Sequence, residues 1–427
     1  MELLSPAGDL EKLETVYRYG ADAAYIGLSG FSLRTRASDV LTEEALPQRL
    51  RAIKGRKRLY GALNIYFGNN DLTRLQENLD RIAELPLDAL IVSDIGVVDL
   101  IRTRMPDIPL HLSTQANCLN SSAARVYRDL GFSRIIPARE MTLEEIVQLK
   151  ATLPDLEVEV FVHGAMCLAY SGRCLLSAWL SGRSANKGNC AHSCRWEYRL
   201  ALEEKQRPGE FLPVEESDGY TTLMSPKDLC MIDWIDRLYD AGIDAVKIEG
   251  RVKSAYYAAV VTRAYRREID LAVARSTATS AAGTTAATSR PDVAADPEPG
   301  APLDDNPFRE DLFNVSHREF STGFFFSDPG AAVPTQMSYS QRYRFMGTIL
   351  DPVRDGSYDV RVNNTISRGT AIEYIGPDLP SIVDTNFELF DESGAPVDSI
   401  GHHSGGWIRP SVSVEPGYLI RMARAQQ

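Results

Sequence analysis

One phrase recurs through the first 250 residues: a helix-length run with apolar periodicity, a Gly or Leu beside a polar residue, then a short apolar segment. It reads YGADAAYIG at 19–27, PLDALIVSD at 86–94, LGFSRIIPARE at 130–140 and AGIDAVKIEGR at 241–251. Further strand candidates lie at Glu2–Leu4, Arg58–Asn64, Leu110–Gln115, Glu157–Val162 and Tyr220–Met224. Apolar strands alternating with helices predict parallel strands joined by helical crossovers. The nine candidates exceed by one what an eight-stranded barrel needs, so the fold class is α/β, a TIM-like (β/α)8 barrel that leaves out either the first candidate or the one at 220. A doubly wound sheet is the alternative, but no G-x-G-x-x-G follows the first strand.

The barrel is expected to span 1–270. After Ile269 the pattern gives way to STATSAAGTTAATSRPDVAADPEPGAPLDDNP, poor in large apolar residues, which predicts a flexible low-complexity linker over 271–306. Residues 307–337 form a connecting segment whose FNVSHREFSTGFFF is expected to pack back on the barrel as core. From 338 to 427 come short alternating segments, MGTIL, YDVRV, TAIEYIG, FELFDE, WIRPSVSV and GYLIRMA, divided by Gly, Asp, Asn and Pro. They predict a small antiparallel β-barrel or sandwich without a cluster of titratable groups.

A barrel of this kind places its active site past the C-terminal ends of the strands. The residues there are polar: Ser5, Arg34, Arg36, Asn64, Tyr66, Ser93, Asp94, Gln115, Asn117, Arg139, Glu140, His163, Lys227, Asp228, Glu249 and Arg251. Polar residues also cap helices and satisfy loop backbones, so a structural role is the ordinary reading for most of them. Lys247, Glu249 and Arg251 alternate along one strand end and therefore share a face, as an ion network or a substrate clamp.

Four of the six cysteines follow the strand at 157–162, as Cys167, Cys174, Cys190 and Cys194, spaced C-x6-C-x15-C-x3-C. The N-terminal residues lack a basic and apolar leader pattern and no apolar run is long enough to span a bilayer, so a cytoplasmic location with reduced thiols is expected, and no membrane contact. Grouped thiols there point to metal rather than disulfides. The gaps of six and fifteen residues suit an iron-sulfur cluster on long loops, with zinc and unligated core cysteines as alternatives. CAHSCRWE approaches a C-x3-C-x2-C pattern but has Glu197 at the third position, which argues against radical chemistry. Cys230, in SPKDLCMIDW, reads as the first turn of a helix on the catalytic face and competes for one ligand place. Cys118 reads as a small buried hydrophobe.

The net charge of −12 argues against wholesale electrostatic binding of nucleic acid. From Arg173 to Arg199, however, Arg173, Arg183, Lys187, Arg195 and Arg199 stand against only Glu197, a basic island that balances thiolates or meets an anionic substrate. No H-E-x-x-H or G-x-S-x-G motif supports a hydrolase, and His163 four residues before Cys167 does not by itself define a thiol protease.

LLSPAGDLEKL, YGADAAYIG, FSLRTRA, LHLSTQAN, EVEVFVHGAMCLAYSGRCLLS, CAHSCRW, SPKDL and VKIEGRVKS together resemble the U32 peptidase family, from Met1 to about Asp270 and more loosely through the C-terminal β-domain. The resemblance is to its tRNA-hydroxylation branch. It implies an O2-independent tRNA hydroxylase that converts wobble uridine to 5-hydroxyuridine with prephenate as co-substrate. Collagenase-like peptidase activity, or hydroxylation of a 23S rRNA cytidine or a ubiquinone precursor, are the alternatives. It further implies a [4Fe-4S] cluster on Cys167, Cys174, Cys190 and Cys194, with Cys230 as alternative fourth ligand, and tRNA and an electron donor protein as partners. Arg34, Arg36, Arg139, His163 and Arg251 are the expected substrate contacts.

Overall fold

The computed structural model describes residues 1–32, 45–167, 169–196, 201–203, 206, 208–209, 211–213, 226–281, 306–326, 339–402 and 405–424. Seven strands follow one another in parallel: β1 (Glu2–Pro6), β2 (Ala23–Gly27), β3 (Arg58–Leu63), β4 (Ala89–Val92), β5 (Leu110–Leu112), β6 (Phe132–Ile135) and β7 (Glu157–Ala165). An excursion then carries a hairpin, β8 (Ala201–Glu203) with β9 (Phe211–Pro213), and a short strand, β10 (Asp228–Cys230). The chain returns as β11 (Ala245–Ile248), which pairs in parallel with β7 on one side and β1 on the other, so that eight strands close a barrel. The first sequence candidate is thus inside the barrel, and the one at Tyr220–Met224 lies outside the described residues.

Crossover helices α1 (Leu10–Arg18), α2 (Leu46–Lys54), α3 (Asn69–Glu84), α4 (Val98–Arg104), α5 (Ser121–Asp129) and α6 (Leu143–Thr152) connect the first seven strands. Their starts are written in the sequence. Asp9 accepts from Lys12 N at 2.8 Å, Asn120 from Ala123 N at 2.9 Å, and Thr142 with Glu145 forms a capping box. A six-residue helix, α7 (Leu176–Ser181), sits in the excursion, α8 (Ile235–Asp240) precedes β11, and α9 (Ala255–Ala281) follows it. No helix among the described residues is long and apolar enough to cross a membrane.

Two expectations change here. The linker expected from 271 is helical to Ala281, because this stretch is rich in helix-favouring Ala and Arg275 pins it to Asp236 and Glu268 at 2.5 and 3.2 Å. Residues 282–305 lie outside the described residues. Cys230 stands on a strand rather than a helical turn: β10 runs antiparallel to β7 and parallel to β12 (Phe320–Ser321), the pairing by which the aromatic connecting segment packs back. Phe308, Leu312, Val315 and Phe325 join the barrel core.

The C-terminal antiparallel domain is an eight-stranded curled sheet in the order β17-β16-β22-β13-β14-β21-β18-β19, namely β13 (Tyr343–Pro352), β14 (Tyr358–Val362), β16 (Ile372–Ile375), β17 (Ile382–Asp384), β18 (Glu388–Phe390), β19 (Pro396–Val397), β21 (Trp407–Arg409) and β22 (Leu419–Ala423). A two-stranded ribbon, β15 (Ile366–Ser367) with β20 (Ser399–Ile400), accompanies it. Its own core gathers Met346, Ile349, Val360, Tyr374, Leu389 and Ile408.

A buried carboxylate joins the two domains. Asp311 pairs with Arg263 of α9 and with Arg421 of β22 at 2.7 Å, and Arg263 also donates to Gly376 O at 2.7 Å and Leu379 O at 2.8 Å. Removing one member of such a group leaves uncompensated buried charge. Asp311→Ala should therefore lower unfolding stability by about 3–5 kcal/mol in a denaturant titration. Arg361→Ala, which breaks an exposed pair with Glu11, should change it by under about 1 kcal/mol; equal effects would contradict the assignment of Asp311 as the domain tie.

Candidate functional site

The interior of the barrel is polar near its base. Glu159 of β7 is fully buried and meets Lys247 Nζ at 2.9 Å and Arg134 Nη1 at 3.0 Å. Arg134 reaches on to Glu2 at 2.7 Å and Glu157 at 2.8 Å. Burial alone would raise the Glu159 carboxyl, but Lys247 and Arg134 outweigh it and hold it below its ordinary value. Lys247 also lies 4.5 Å from the Tyr25 ring and 5.3 Å from the Phe161 ring, so its charge is held over aromatic faces.

Above this network opens a cavity of about 1010 Å³, part of it continuous with solvent. Lys247, Glu249 and Arg251 all line it, as the alternation along β11 and its extension predicts. Arg139 joins them: its guanidinium donates to Ala165 O at 2.6 Å, stacks 4.0 Å over Phe161 and stands 3.8 Å from Glu249. Arg251 donates to Ser32 Oγ and lies 5.8 Å from the Tyr25 ring. Three cations thus face two carboxylates, Glu140 and Glu249, across walls of Asn64, Ser113, Thr114 and Gln115. Glu140 accepts from Ser171 N at 2.9 Å through Oε1, while Oε2 is buried with no hydrogen-bond partner among the described residues.

The cysteine segment caps this cavity. Arg195 Nη2 donates to Met166 O at 3.0 Å, Asn186 Nδ2 to Cys174 O at 3.0 Å, and Ala191 N to Ser177 Oγ at 2.8 Å, which ties its turns together. Tyr66 N donates to Asn186 O at 3.1 Å and anchors the cap to the barrel. Gly172 (φ 76°) passes so close to the loop after β5 that a Cβ would lie 2.1 Å from Gln115 O.

All four cysteines are unpaired thiols, and Cys167, Cys174 and Cys190 line the cavity. Burial raises the Cys194 thiol, Arg195 pulls it back, and Cys167, Cys190 and Cys174 push it up again, so the four lie within electrostatic range of one another. Among the described residues no three His, Cys, Asp or Glu side chains are drawn together tightly enough for a single metal ion. Thiolates are the donors an iron-sulfur cluster takes, and three of the four line the cavity while Cys194 lies within electrostatic range of them.

The other sequence candidates divide sharply. Arg34 and Arg36 lie outside the described residues. His163 is buried away from the cavity, its Nδ1 3.3 Å from Tyr265 Oη and its ring among Tyr257, Tyr265 and Phe320. The cause is a bulge: Lys247 pairs with Phe161 but Ile248 with His163, and this register shift takes His163 off the interior row of Glu159 and Phe161. His163 is therefore not placed to touch a substrate. Cys230 stands opposite His163 in the β10–β7 pairing and does not line the cavity, and burial pushes its thiol up to about 11. Tyr265 Oη lies 3.8 Å from its sulfur. Cys118 is buried, with its thiol raised to about 11 by burial.

Several polar strand ends are structural: Ser5 hydrogen-bonds Thr262 at 2.8 Å, Ser93 donates to Ile65 O, and Asp228 pairs with Arg318 at 2.6 Å. Tyr25, Phe161, Ser113 and Thr114 were not among the sequence candidates. Interior alternation along β2 and β7 is the signal that finds the first two.

Residues 8–334 match the family model described as peptidase family U32, and residues 341–421 match the peptidase family U32 C-terminal domain. Among curated relatives, tRNA hydroxylation protein P of Helicobacter pylori is 45% identical over 272 residues, which cover 63% of this chain and 64% of that protein, so the match spans under two thirds of its length. The protein of the same name from Escherichia coli K12 is 34% identical over 416 residues, 88% of this chain and 86% of that one. The 23S rRNA 5-hydroxycytidine C2501 synthase of Escherichia coli K12 is 36% identical over 272 residues, 63% of this chain and 39% of that one. With both segments matched in order along its length, this chain belongs to peptidase family U32.

Proposed function

We propose that this protein hydroxylates tRNA, converting the wobble uridine to 5-hydroxyuridine in the cytoplasm. It does so with a [4Fe-4S] cluster on Cys167, Cys174, Cys190 and Cys194 and with prephenate as co-substrate. The observation that carries this reading is the juxtaposition of Arg139, Lys247 and Arg251 with the thiols of Cys167, Cys174 and Cys190 around one cavity. The names of relatives that act on tRNA and on 23S rRNA support the RNA substrate.

Replacing C5–H of uracil by C5–OH takes in one oxygen atom and removes two electrons from the base, so the reaction also requires an oxygen-atom donor that is reduced by two electrons. A bound cluster supplies redox-active, Lewis-acidic iron at the cap. The chain's own residues do the rest. Arg139, Lys247 and Arg251 line one cavity and supply the cations for charge-assisted hydrogen bonds to a dicarboxylate. Tyr25 and Phe161 hold all three of those cations against aromatic faces. The unpartnered Glu140 Oε2 offers, at the cavity wall, an acceptor for a proton or for a hydrogen bond from a substrate hydroxyl.

The peptidase reading needs an imidazole beside a thiol. His163 does not supply it, since burial holds it near a pKa of about 3 and its ring faces Tyr265. Because the folded state favours neutral His163, its contribution to stability is complete above the unfolded value near 6.5. It is lost as pH falls from there toward 3. The activity of wild type and of His163→Gln should therefore show the same pH dependence between about 5 and 8. Wild-type stability should decline more steeply on acidification than that of the variant. An activity step near pH 6.5 that vanishes in His163→Gln would overturn this placement.

Mass spectrometry of tRNA nucleosides provides the functional test. A deletion strain should lose 5-hydroxyuridine derivatives and regain them with this chain. Arg251→Met should restore less than about a tenth, the loss expected for one charge-assisted contact of roughly 1.5–3 kcal/mol. Unchanged derivatives in the deletion strain contradict the proposal.

A further inference from the structure

The cap has a second face. It exposes Trp179 (80%), Leu175 (73%) and Trp196 (42%), none of which lines the cavity, and Tyr170 (60%) at the cavity wall. Among the described residues the exposed aromatic side chains are these three, Phe313 and Tyr339, and Tyr339 Oη accepts from Arg195 of the cap at 3.1 Å. Exposed aromatic surface is thus concentrated on and around one segment of about thirty residues rather than scattered. Trp196 is held by its indole N–H, which donates to Ala191 O at 3.2 Å.

The charge of this segment points the same way. Residues 166–196 carry Arg173, Arg183, Lys187 and Arg195 and no Asp or Glu, in a chain whose net charge is −12. Arg183 is braced by Asn189 at 3.0 Å and by Cys190 O at 3.3 Å, and Lys187 by Asp71 at 3.2 Å, so these cations are set in place. Aromatic faces interleaved with cations, on a segment that carries no carboxylate of its own, match the two faces of a single-stranded nucleic acid: bases that stack and phosphates that pair. The surface borders the cavity, because Tyr170, Cys174 and Cys190 line its wall.

We infer that the outer face of the cap is a docking platform for a single-stranded RNA loop, with an unstacked base lying on Trp179 and neighbouring phosphates on Arg173 and Arg183. This rests on the tRNA reading above and deepens it. The platform seats the bases flanking the target so that the target base enters the cavity beside Tyr170. Seating on Trp179 costs the protein little reorganisation, since the ring is already exposed.

Fluorescence anisotropy of a labelled anticodon stem-loop tests it, with a fully paired RNA duplex of equal length as comparison. Trp179→Ala, at an exposed position, should keep the wild-type melting temperature and weaken stem-loop binding roughly tenfold or more, the effect of one lost base–aromatic stack. Trp179→Phe should restore most of that affinity. Duplex binding and its salt dependence should be unchanged, because no phosphate contact is removed. Stem-loop affinity unaffected by Trp179→Ala, in a protein whose wild type binds the loop, overturns the platform and leaves the tRNA reading intact. A wild type that binds neither the stem-loop nor whole tRNA overturns both. A concentration-dependent dimer that Trp179→Ala dissociates, with loop affinity unchanged, identifies the face as a self-interface and overturns the platform.

Discussion

The burial of Glu159 governs much of this molecule. A carboxylate with no access to water must be matched by charge, and here Lys247 and Arg134 match it. Those residues come from β7, β11 and β6, and Arg134 extends the network to Glu2 of β1. The first and last strands of the barrel are therefore joined by side chains as well as by backbone pairing. The same arrangement fixes Lys247 beneath the cavity, over Tyr25 and Phe161, where an unpaired lysine in so buried a position would favour its neutral form.

From that base upward the site is built in layers. Cations and carboxylates on strand ends form the walls, and the cysteine segment forms the roof, held by its own hydrogen bonds and by the close approach of Gly172 to Gln115. Three thiols of the roof, Cys167, Cys174 and Cys190, line the cavity, whereas the exposed rings of Trp179 and Trp196 do not. In the proposed function, chemistry and recognition of a large substrate fall on these two parts of one short segment. Among the described residues the C-terminal sheet contributes nothing to the cavity walls, and Asp311, Arg263 and Arg421 tie it to the barrel on the flank of α9.

The parts legible in the sequence are those governed by local rules. Strand and helix alternation revealed the barrel, period-two spacing put Lys247, Glu249 and Arg251 on one face, and a position just past a strand end brought Arg139 to the cavity. His163 was misjudged because a single bulged residue reverses which side chains face inward, and nothing in EVEVFVHGA marks where that residue falls. The extension of α9 was hidden because Ala and Thr lower hydrophobicity, the cue for a linker, while Ala favours helix. Asp311 was invisible for a different reason: its partners lie 48 and 110 residues away. Cys230 followed the same pattern as His163, since pairing of β10 against β7 directs it toward Tyr265 and Asp233.

In the proposed function one cap, with Cys194 and not Cys230 as its fourth thiol, would hold the metal centre over a cationic cavity. Iron and acid-labile sulfide per chain, with the visible and electron paramagnetic resonance spectra, measured on anaerobically purified wild type, Cys194→Ser and Cys230→Ser, address it directly. The account predicts about four irons in wild type and in Cys230→Ser, and loss of the four-iron signature in Cys194→Ser. A Cys194→Ser protein that keeps that signature while Cys230→Ser loses it would contradict the account.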